Sequence, residues 1–313
     1  MKASLGNVDP ATVESHALHR DERAWPETNC YVDLWIELLH SLKLEPIAAL
    51  AFTLALDYEG DQFTFFKFPL EDLYELWGLD TMELQVWKPL PEAIVTQLSR
   101  GRPVIVELDA FHLPDTQGVS YGLEHVKTSV AVHDLDAEAG TLGYFHNKGY
   151  YRLSGDDYAQ VFRPQVLPPY FEVVKLDHLR RPEPARLREV ARGQLQKHLA
   201  RRPAQNPIKA FAADWERDLA WLREQPLASF HAYSFATLRQ LGANFECAAA
   251  FLRWLDEADG PAAQAFERMA NTAKAMQFRL ARVANAKKAY DATEALRSLA
   301  ADWDLGTAAL GTT

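Results

Sequence analysis

The spacing of apolar residues divides the chain into two kinds of segment. Between residues 28 and 42 they recur every three or four positions, which predicts a helix with one buried face. Shorter stretches are β-branched, aromatic or alternating in polarity, and they predict strands. The predicted strands are 62–68, 82–87, 103–109, 125–133, 141–146, 150–153 and 170–176. Because the strands from 125 to 153 follow one another across short turns, we expect an antiparallel sheet.

From about residue 177 onwards the pattern is helical and the composition is rich in Ala, Leu, Arg, Glu and Gln. The predicted helices are 183–200, 208–224, 229–258 and 261–302, and a break near Gly242 is left open for the third. Regularly spaced alanines in the last of these favour close helix packing in a bundle. We therefore predict an α+β domain over residues 1–176 and an all-α domain over residues 177–313. Residues 1–24 are polar and are expected to be irregular.

The composition of the chain argues against several classes of function. The 313 residues are 48% hydrophobic and carry a formal net charge of −10, which argues against a general nucleic-acid binder. The two cysteines, Cys30 and Cys247, are far apart, so neither a disulfide framework nor a thiolate metal site is expected. No apolar run reaches about 18 residues, and no signal peptide is recognisable. We expect a cytoplasmic protein that does not enter a membrane.

Cys30 is the first candidate for chemistry because it begins the helix predicted after residue 28. The positive end of the helix dipole favours a thiolate there, and a thiolate is a nucleophile. Thr28 or Asn29 can cap this helix. The alternative is that Cys30 is simply a small buried hydrophobic residue. A nucleophilic thiol also needs a base, and His125, at the start of a predicted strand, is the candidate for that role.

The segment Gly101–Pro114, followed by Tyr121 and His125, resembles the butirosin-biosynthesis-type N-terminal domain, a papain-like and C39-peptidase-like family. This resemblance covers residues of about 15 to 175. The whole chain is also similar to an uncharacterised bacterial family often encoded beside acyl carrier proteins and amino acid:carrier protein ligases. The segments that carry this second similarity are Asn29–Tyr31, Glu59–Gln62, Phe65–Lys67, Leu113–Thr116 and Gly143–Asn147. The resemblance implies a papain-like cysteine-protease fold for the first domain.

The resemblance also implies roles for single residues. Cys30 matches the nucleophile and His125 the base. Where relatives place an Asp as third partner, this chain has His146 and then Asn147; we prefer Asn147, because an amide oxygen can accept a hydrogen bond from the imidazole N–H. The Cys30 N–H and the Asn29 side chain would form an oxyanion hole, although Asn29 is equally suited to cap the helix. The predicted substrate contacts are Asp109, Asp115, Tyr121 and Lys127.

The function that the resemblance implies is transfer of an acyl or aminoacyl group from the phosphopantetheine thioester of a carrier protein to a small amine. One alternative is hydrolysis, by a thioesterase or peptidase. Another is a non-catalytic protein that binds the charged carrier. No metal and no intrinsic cofactor are expected beyond the phosphopantetheine of the carrier. The basic stretch 178–202 offers a docking surface for an acidic carrier, unless it is an ordinary solvated helix face. The docking candidates are Arg180, Arg181, Arg188 and Arg192.

Overall fold

A computed structural model describes residues 1–6, 8–163, 167–286 and 290–311, which form two compact units. The first unit comprises residues 1–20, 29–46 and 69–182, and the second comprises 21–28, 47–68 and 183–313. The predicted division at residue 176 lies close to residue 182, where the long segment of the first unit ends. Two short segments of the N-terminal part, 21–28 and 47–68, contribute to the second unit, which a boundary drawn along the sequence does not express.

The first unit is built on an antiparallel sheet, as predicted. Its strands are β1 (Lys2–Ser4), β2 (Asp80–Glu83), β3 (Val104–Asp109), β4 (Lys127–Asp136), β5 (Thr141–His146), β6 (Gly149–Ser154) and β7 (Phe171–Lys175). They lie in the order β2-β7-β3-β4-β5-β6, and β1 pairs with β4 beside this path. The first strand was not predicted, because its three residues are too few to show a strand pattern and include no large apolar side chain.

Helices α1 (Cys30–Ser41), α2 (Leu70–Trp77), α3 (Leu90–Leu98) and α4 (Gly155–Val161) accompany the sheet. One sheet face packs on α3, where Val106 and Val130 share a buried core with Ile94. Successive strand residues point to opposite faces, so Glu172, between the core residues Phe171 and Val173, points the other way. Tyr31 of α1 donates a hydrogen bond to Glu172. Helix α1 therefore lies on the face opposite α3.

The second unit is helical, with α5 (Pro184–Leu199), α6 (Pro207–Arg223), α7 (Leu227–Ser234), α8 (Gln240–Asp256), α9 (Pro261–Ala286) and α10 (Thr293–Ala309). A π-helical turn, Phe235–Arg239, joins α7 to α8. The helices predicted over 229–258 and 261–302 are each divided in the structure. The α+β class with a helical C-terminal region is thus confirmed. No helix in the described ranges is long and apolar enough to cross a bilayer.

The strand predicted over 62–68 is wrong. Phe63 forms only an isolated bridge with Tyr58, and its N–H donates to the carbonyl of Ala236 in the π-helical turn. The Phe63 and Tyr58 rings also pack against Phe211 of α6, in edge-on and tilted arrangements respectively. The aromatic residues that suggested a strand are in fact anchors of an irregular segment, packed into the second unit.

Candidate active site

Cys30 is the first residue of α1. The Asn29 side chain accepts a hydrogen bond of 3.0 Å from the Val32 N–H, the standard geometry of a helix N-cap. Cys30 is partly exposed, whereas Cys247 in α8 is 1% exposed. The cap role predicted for Asn29 is confirmed, and its role in an oxyanion hole stays a prediction.

Two further contacts fix α1 in place. Tyr31 and Tyr170 both donate hydrogen bonds to the buried Glu172 carboxylate, which ties the start of α1 to β7. Burial and the negative charge of Glu172 raise the pKa of Tyr31 well above its ordinary value. Tyr31 therefore stays a protonated donor.

On another side of α1, His19 lies between two buried carboxylates. Its Nδ1 is 2.5 Å from Glu37 Oε1 and its Nε2 is 3.3 Å from Asp33 Oδ1. Burial alone lowers the pKa of His19, but hydrogen bonds and charge from Asp33 and Glu37 outweigh it and raise the pKa to about 9. A charged imidazole thus neutralises the acids that α1 buries. Carboxylates at positions i and i+4 on an apolar helix were the sequence signal for such a cation.

His125 forms a dyad with Asp109, the last residue of β3. The distance from His125 Nδ1 to Asp109 Oδ2 is 2.6 Å, and Asp109 Oδ1 accepts from the Phe111 N–H at 3.0 Å. The imidazole stacks on the Phe111 ring, with centroids 4.3 Å apart and planes 13° apart. A neutral imidazole that donates Nδ1–H to a carboxylate presents an unprotonated Nε2. This is the tautomer that a general base requires.

The dyad lies at a cavity of about 640 Å³. Its polar lining includes Glu107, Lys127 and Arg163 besides the dyad itself. Lys127 Nζ is 2.6 Å from Glu107 Oε1. The predicted substrate contacts Asp109 and Lys127 therefore lie at one cavity, but Asp109 also orients His125. The antiparallel register, which places Asp109 opposite Lys127, explains this proximity.

Cys30 and His125 lie at the same end of the sheet. Leu42, just beyond the last turn of α1, lines a second cavity with Pro103 and Leu176, at the start of β3 and the end of β7. The first turn of α1 therefore points toward the opposite end, where β3 ends at Asp109. The alternation along β3 also puts Asp109 on the face that α1 covers. In the described part of the chain, no hydrogen bond joins the Cys30 thiol to His125.

The third partner predicted for His125 needs a correction. His146 Nδ1 is 2.5 Å from Asp115 Oδ2, and His146 Nε2 is 2.7 Å from Thr128 Oγ1. Tyr144 donates to the other oxygen of Asp115 at 2.5 Å. Tyr144 belongs to the core on α3, and His146 shares its parity, so this network is on the face away from α1. His146 and Asp115 hold the 110–116 loop on the sheet and are closed to substrate.

Asn147 does not contact His125 either. It lies in the two-residue turn between β5 and β6, with φ of +46°, a conformation that Asn adopts more readily than most residues. The conformation of this turn explains why an asparagine occupies position 147. The orienting group of His125 is Asp109, and the sequence carried a signal for it: a strand ending in Asp, followed by a His at the start of the next antiparallel strand.

Tyr121 and the four arginines predicted to dock a carrier all form hydrogen bonds within the chain. Tyr121 donates to Asp157 Oδ2 at 2.8 Å, which joins the loop before β4 to α4. Arg180 donates to the carbonyls of Tyr74 and Glu75 in α2 at 2.7 and 2.8 Å, and Arg181 donates to the carbonyl of Leu42 at 3.2 Å.

In the second unit, Arg188 and Arg192 donate to the carbonyls of Trp254 and Leu255 at 3.3 and 3.5 Å. Each of the four arginines thus satisfies carbonyl groups at the end of a helix, where positive charge is favourable. The basic stretch has a structural use that sequence reasoning missed, and its role in docking a carrier stays a prediction.

Comparison with models of protein families identifies the family of this chain. The family model described as the DUF1839 N-terminal domain matches residues 14–176, and the DUF1839 C-terminal domain matches residues 184–312. A search of curated proteins finds no match.

Proposed function

The chain belongs to the DUF1839 family, and we propose that it is a cysteine-dependent acyltransferase with a papain-like first domain. The observation that carries the proposal is the His125–Asp109 dyad, in which His125 Nδ1 is 2.6 Å from Asp109 Oδ2 and both residues line a cavity. Cys30, at the capped start of α1, is the nucleophile that belongs to such a base. The first turn of α1, where Cys30 lies, points toward the end of the sheet at which Asp109 contacts His125, and among the described residues Cys30 is not part of the cavity lining.

In the proposed reaction, His125 Nε2 takes the proton of the Cys30 thiol, and the resulting thiolate attacks the carbonyl carbon of a thioester on a carrier-protein phosphopantetheine. The bond from this carbon to the pantetheine sulfur breaks, and the departing thiolate takes a proton from His125. The acyl group is then bonded to Cys30. An amine attacks the acyl carbon, His125 Nε2 takes the amine proton, and the bond to the Cys30 sulfur breaks.

The start of α1 suits this chemistry electrostatically. The first N–H groups of a helix have no acceptor within the helix, so the Cys30 N–H can donate to the oxyanion of a tetrahedral intermediate. Asp109 keeps the His125 ring in one orientation and stabilises the imidazolium that forms during each proton transfer.

Product analysis tests the choice between transfer and hydrolysis. The protein is incubated with an aminoacyl thioester of phosphopantetheine, with and without an added primary amine, and amide and free acid are quantified. Transfer predicts amide that depends on both the amine and Cys30. Free acid formed at the same rate with and without amine would favour a thioesterase instead. A Cys30→Ala variant as active as the wild type would remove the proposal.

A further inference from the structure

Not all of the charged side chains around the dyad cavity form ion pairs with one another. Its lining includes two acids and two permanent cations: Glu107, Asp109, Lys127 and Arg163. Glu107 pairs with Lys127, and Asp109 pairs with His125, each at 2.6 Å. Among the residues that the structure describes, no carboxylate forms an ion pair with the Arg163 guanidinium. Arg163 is therefore the permanent cation of the described cavity lining that forms no ion pair with a carboxylate.

The fold supplies a fixed base for this arginine. The Arg163 N–H donates to the Gln160 carbonyl at 3.1 Å, which closes the last turn of α4. Helix α4 is in turn held to the 121–125 loop by the hydrogen bond between Tyr121 and Asp157. Arg163 thus lies just beyond the end of a helix that is connected to the loop that carries His125.

The rest of the wall is apolar. Its apolar side chains are Leu108, Val126, Val161, Leu167, Pro168 and Pro169. Leu167 is 74% exposed, so this wall has no cover of its own among the described residues. An apolar wall with a few polar groups is typical of a site for a small molecule with a hydrocarbon part and one charged group.

We infer that the cavity binds an anionic group of the acyl donor, a carboxylate or a phosphate, through Arg163. The inference deepens the proposed function and rests on it. Guanidinium groups bind both anions with paired, charge-assisted hydrogen bonds, which makes Arg better suited than Lys to such a site. The anion has two sources: a carboxylate on the acyl group, or the phosphate of phosphopantetheine. Either would place the thioester near His125.

Binding measurements in the Cys30→Ala background separate recognition from chemistry. Two probe pairs are titrated by calorimetry. Pantetheine and phosphopantetheine differ by the phosphate, and the butyryl and glutaryl thioesters of N-acetylcysteamine differ by the carboxylate. Arg163→Gln is compared with Arg163→Lys and with Arg100→Gln. Arg100 is a matched control because it also follows the end of a helix, is exposed, and lies outside the cavity lining.

We expect the anionic member of one pair to bind at least about tenfold more tightly than its neutral partner. Arg163→Gln should remove this preference and leave binding of the neutral probe unchanged. Arg163→Lys should keep part of it, and Arg100→Gln all of it. The pair that shows the preference identifies the source of the anion.

The inference fails if neither pair shows a preference for the anion, if no probe binds, or if Arg163→Gln behaves like Arg100→Gln. Because the Ala variant cannot form an acyl-enzyme, these results are independent of the proposed reaction. If the wild type forms no adduct on Cys30 but still shows an anion preference that depends on Arg163, the proposed reaction is wrong and the anion-binding site is supported.

Discussion

Asp109 and His125 form the residue pair on which the proposed chemistry depends. Asp109→Asn should lower the rate of acyl transfer by about 10²-fold, because the amide NH2 can donate to His125 Nδ1 and favour the unreactive tautomer, and because a neutral amide does not stabilise the imidazolium. The measurement is the steady-state rate with a saturating thioester.

Asp80→Asn is the matched control for Asp109→Asn, since Asp80 is also a partly exposed strand carboxylate paired with a cation, Lys175, at 3.0 Å. It should leave the rate unchanged. Equal rates in the wild type and Asp109→Asn would show that Asp109 has no role in acyl transfer.

The two cysteines should differ in reactivity in the folded protein. Cys30 is partly exposed at the start of α1, while Cys247 is almost fully buried in α8. Iodoacetamide should therefore alkylate Cys30 under native conditions and reach Cys247 only after denaturation. Peptide mass spectrometry identifies which of the two cysteines is alkylated. Alkylation of Cys247 first would contradict the burial that the structure describes.

At the scale of elements, α1 is held by the charged contact of His19 with Asp33 and Glu37. The pKa of His19 is raised to about 9 in the folded chain, against about 6.5 in an unfolded one. A raised pKa stabilises the fold fully below pH 6.5, and the stabilisation is lost as the pH rises through about 9. Its size is on the order of 3 kcal/mol.

Chemical denaturation between pH 6 and 10 tests this linkage. The free energy of unfolding of the wild type should fall between pH 6.5 and 9, and that of His19→Gln should fall less over the same range. His178→Gln, which changes an exposed histidine, should retain the slope of the wild type. An identical slope in wild type and His19→Gln would show that His19 is not charged between its two acids.

Two glycines that follow helices provide a second test of the elements. Gly78 and Gly101 have φ of +71° and +74°. A Cβ on Gly78 would lie 2.1 Å from the His178 carbonyl oxygen, whereas a Cβ on Gly101 meets nothing within 4 Å. Gly101→Ala should cost about 1–2 kcal/mol for the left-handed conformation alone, and Gly78→Ala clearly more. Equal losses in thermal unfolding would contradict this close approach.

Elements with a strong local signal could be predicted from the sequence. The apolar period of α1 and the alternation in β4 and β5 depend on neighbours in the chain, and these elements are present. Residues 62–68 were misread because aromatic residues favour strands, while contacts with Phe211, distant in sequence, set their structure. Likewise, Cys30 and His125 could be chosen by residue type. Asp109 was visible as the end of the strand before His125, but its role as partner became clear only from the pairing of β3 with β4, which places Asp109 opposite Lys127.

At the scale of the whole molecule, the second unit is completed by segments from the N-terminal part. Trp25 Nε1 donates to the Ala270 carbonyl at 3.0 Å, and Asn244 donates to the Thr53 carbonyl at 2.7 Å. Residues 183–313 expressed alone would leave these buried partners and Phe211 without their contacts. We expect this fragment to unfold at lower temperature and less cooperatively than the second unit of the full chain.

Hydrogen exchange of α8 and α9 compares the fragment with the full chain directly. Protection in these helices should be lost in the fragment. Fragment protection equal to that of the full chain would show that segments 21–28 and 47–68 add nothing to the stability of the second unit.

The central claim is that Cys30 carries the acyl group during the reaction. Intact-protein mass spectrometry after rapid mixing with an aminoacylated carrier protein tests it most directly, with Cys247→Ala as the matched control. The wild type and Cys247→Ala should gain the mass of one aminoacyl group, and Cys30→Ala should gain none. Added amine should then discharge the adduct. An adduct that persists in Cys30→Ala, or none in the wild type, would contradict the claim.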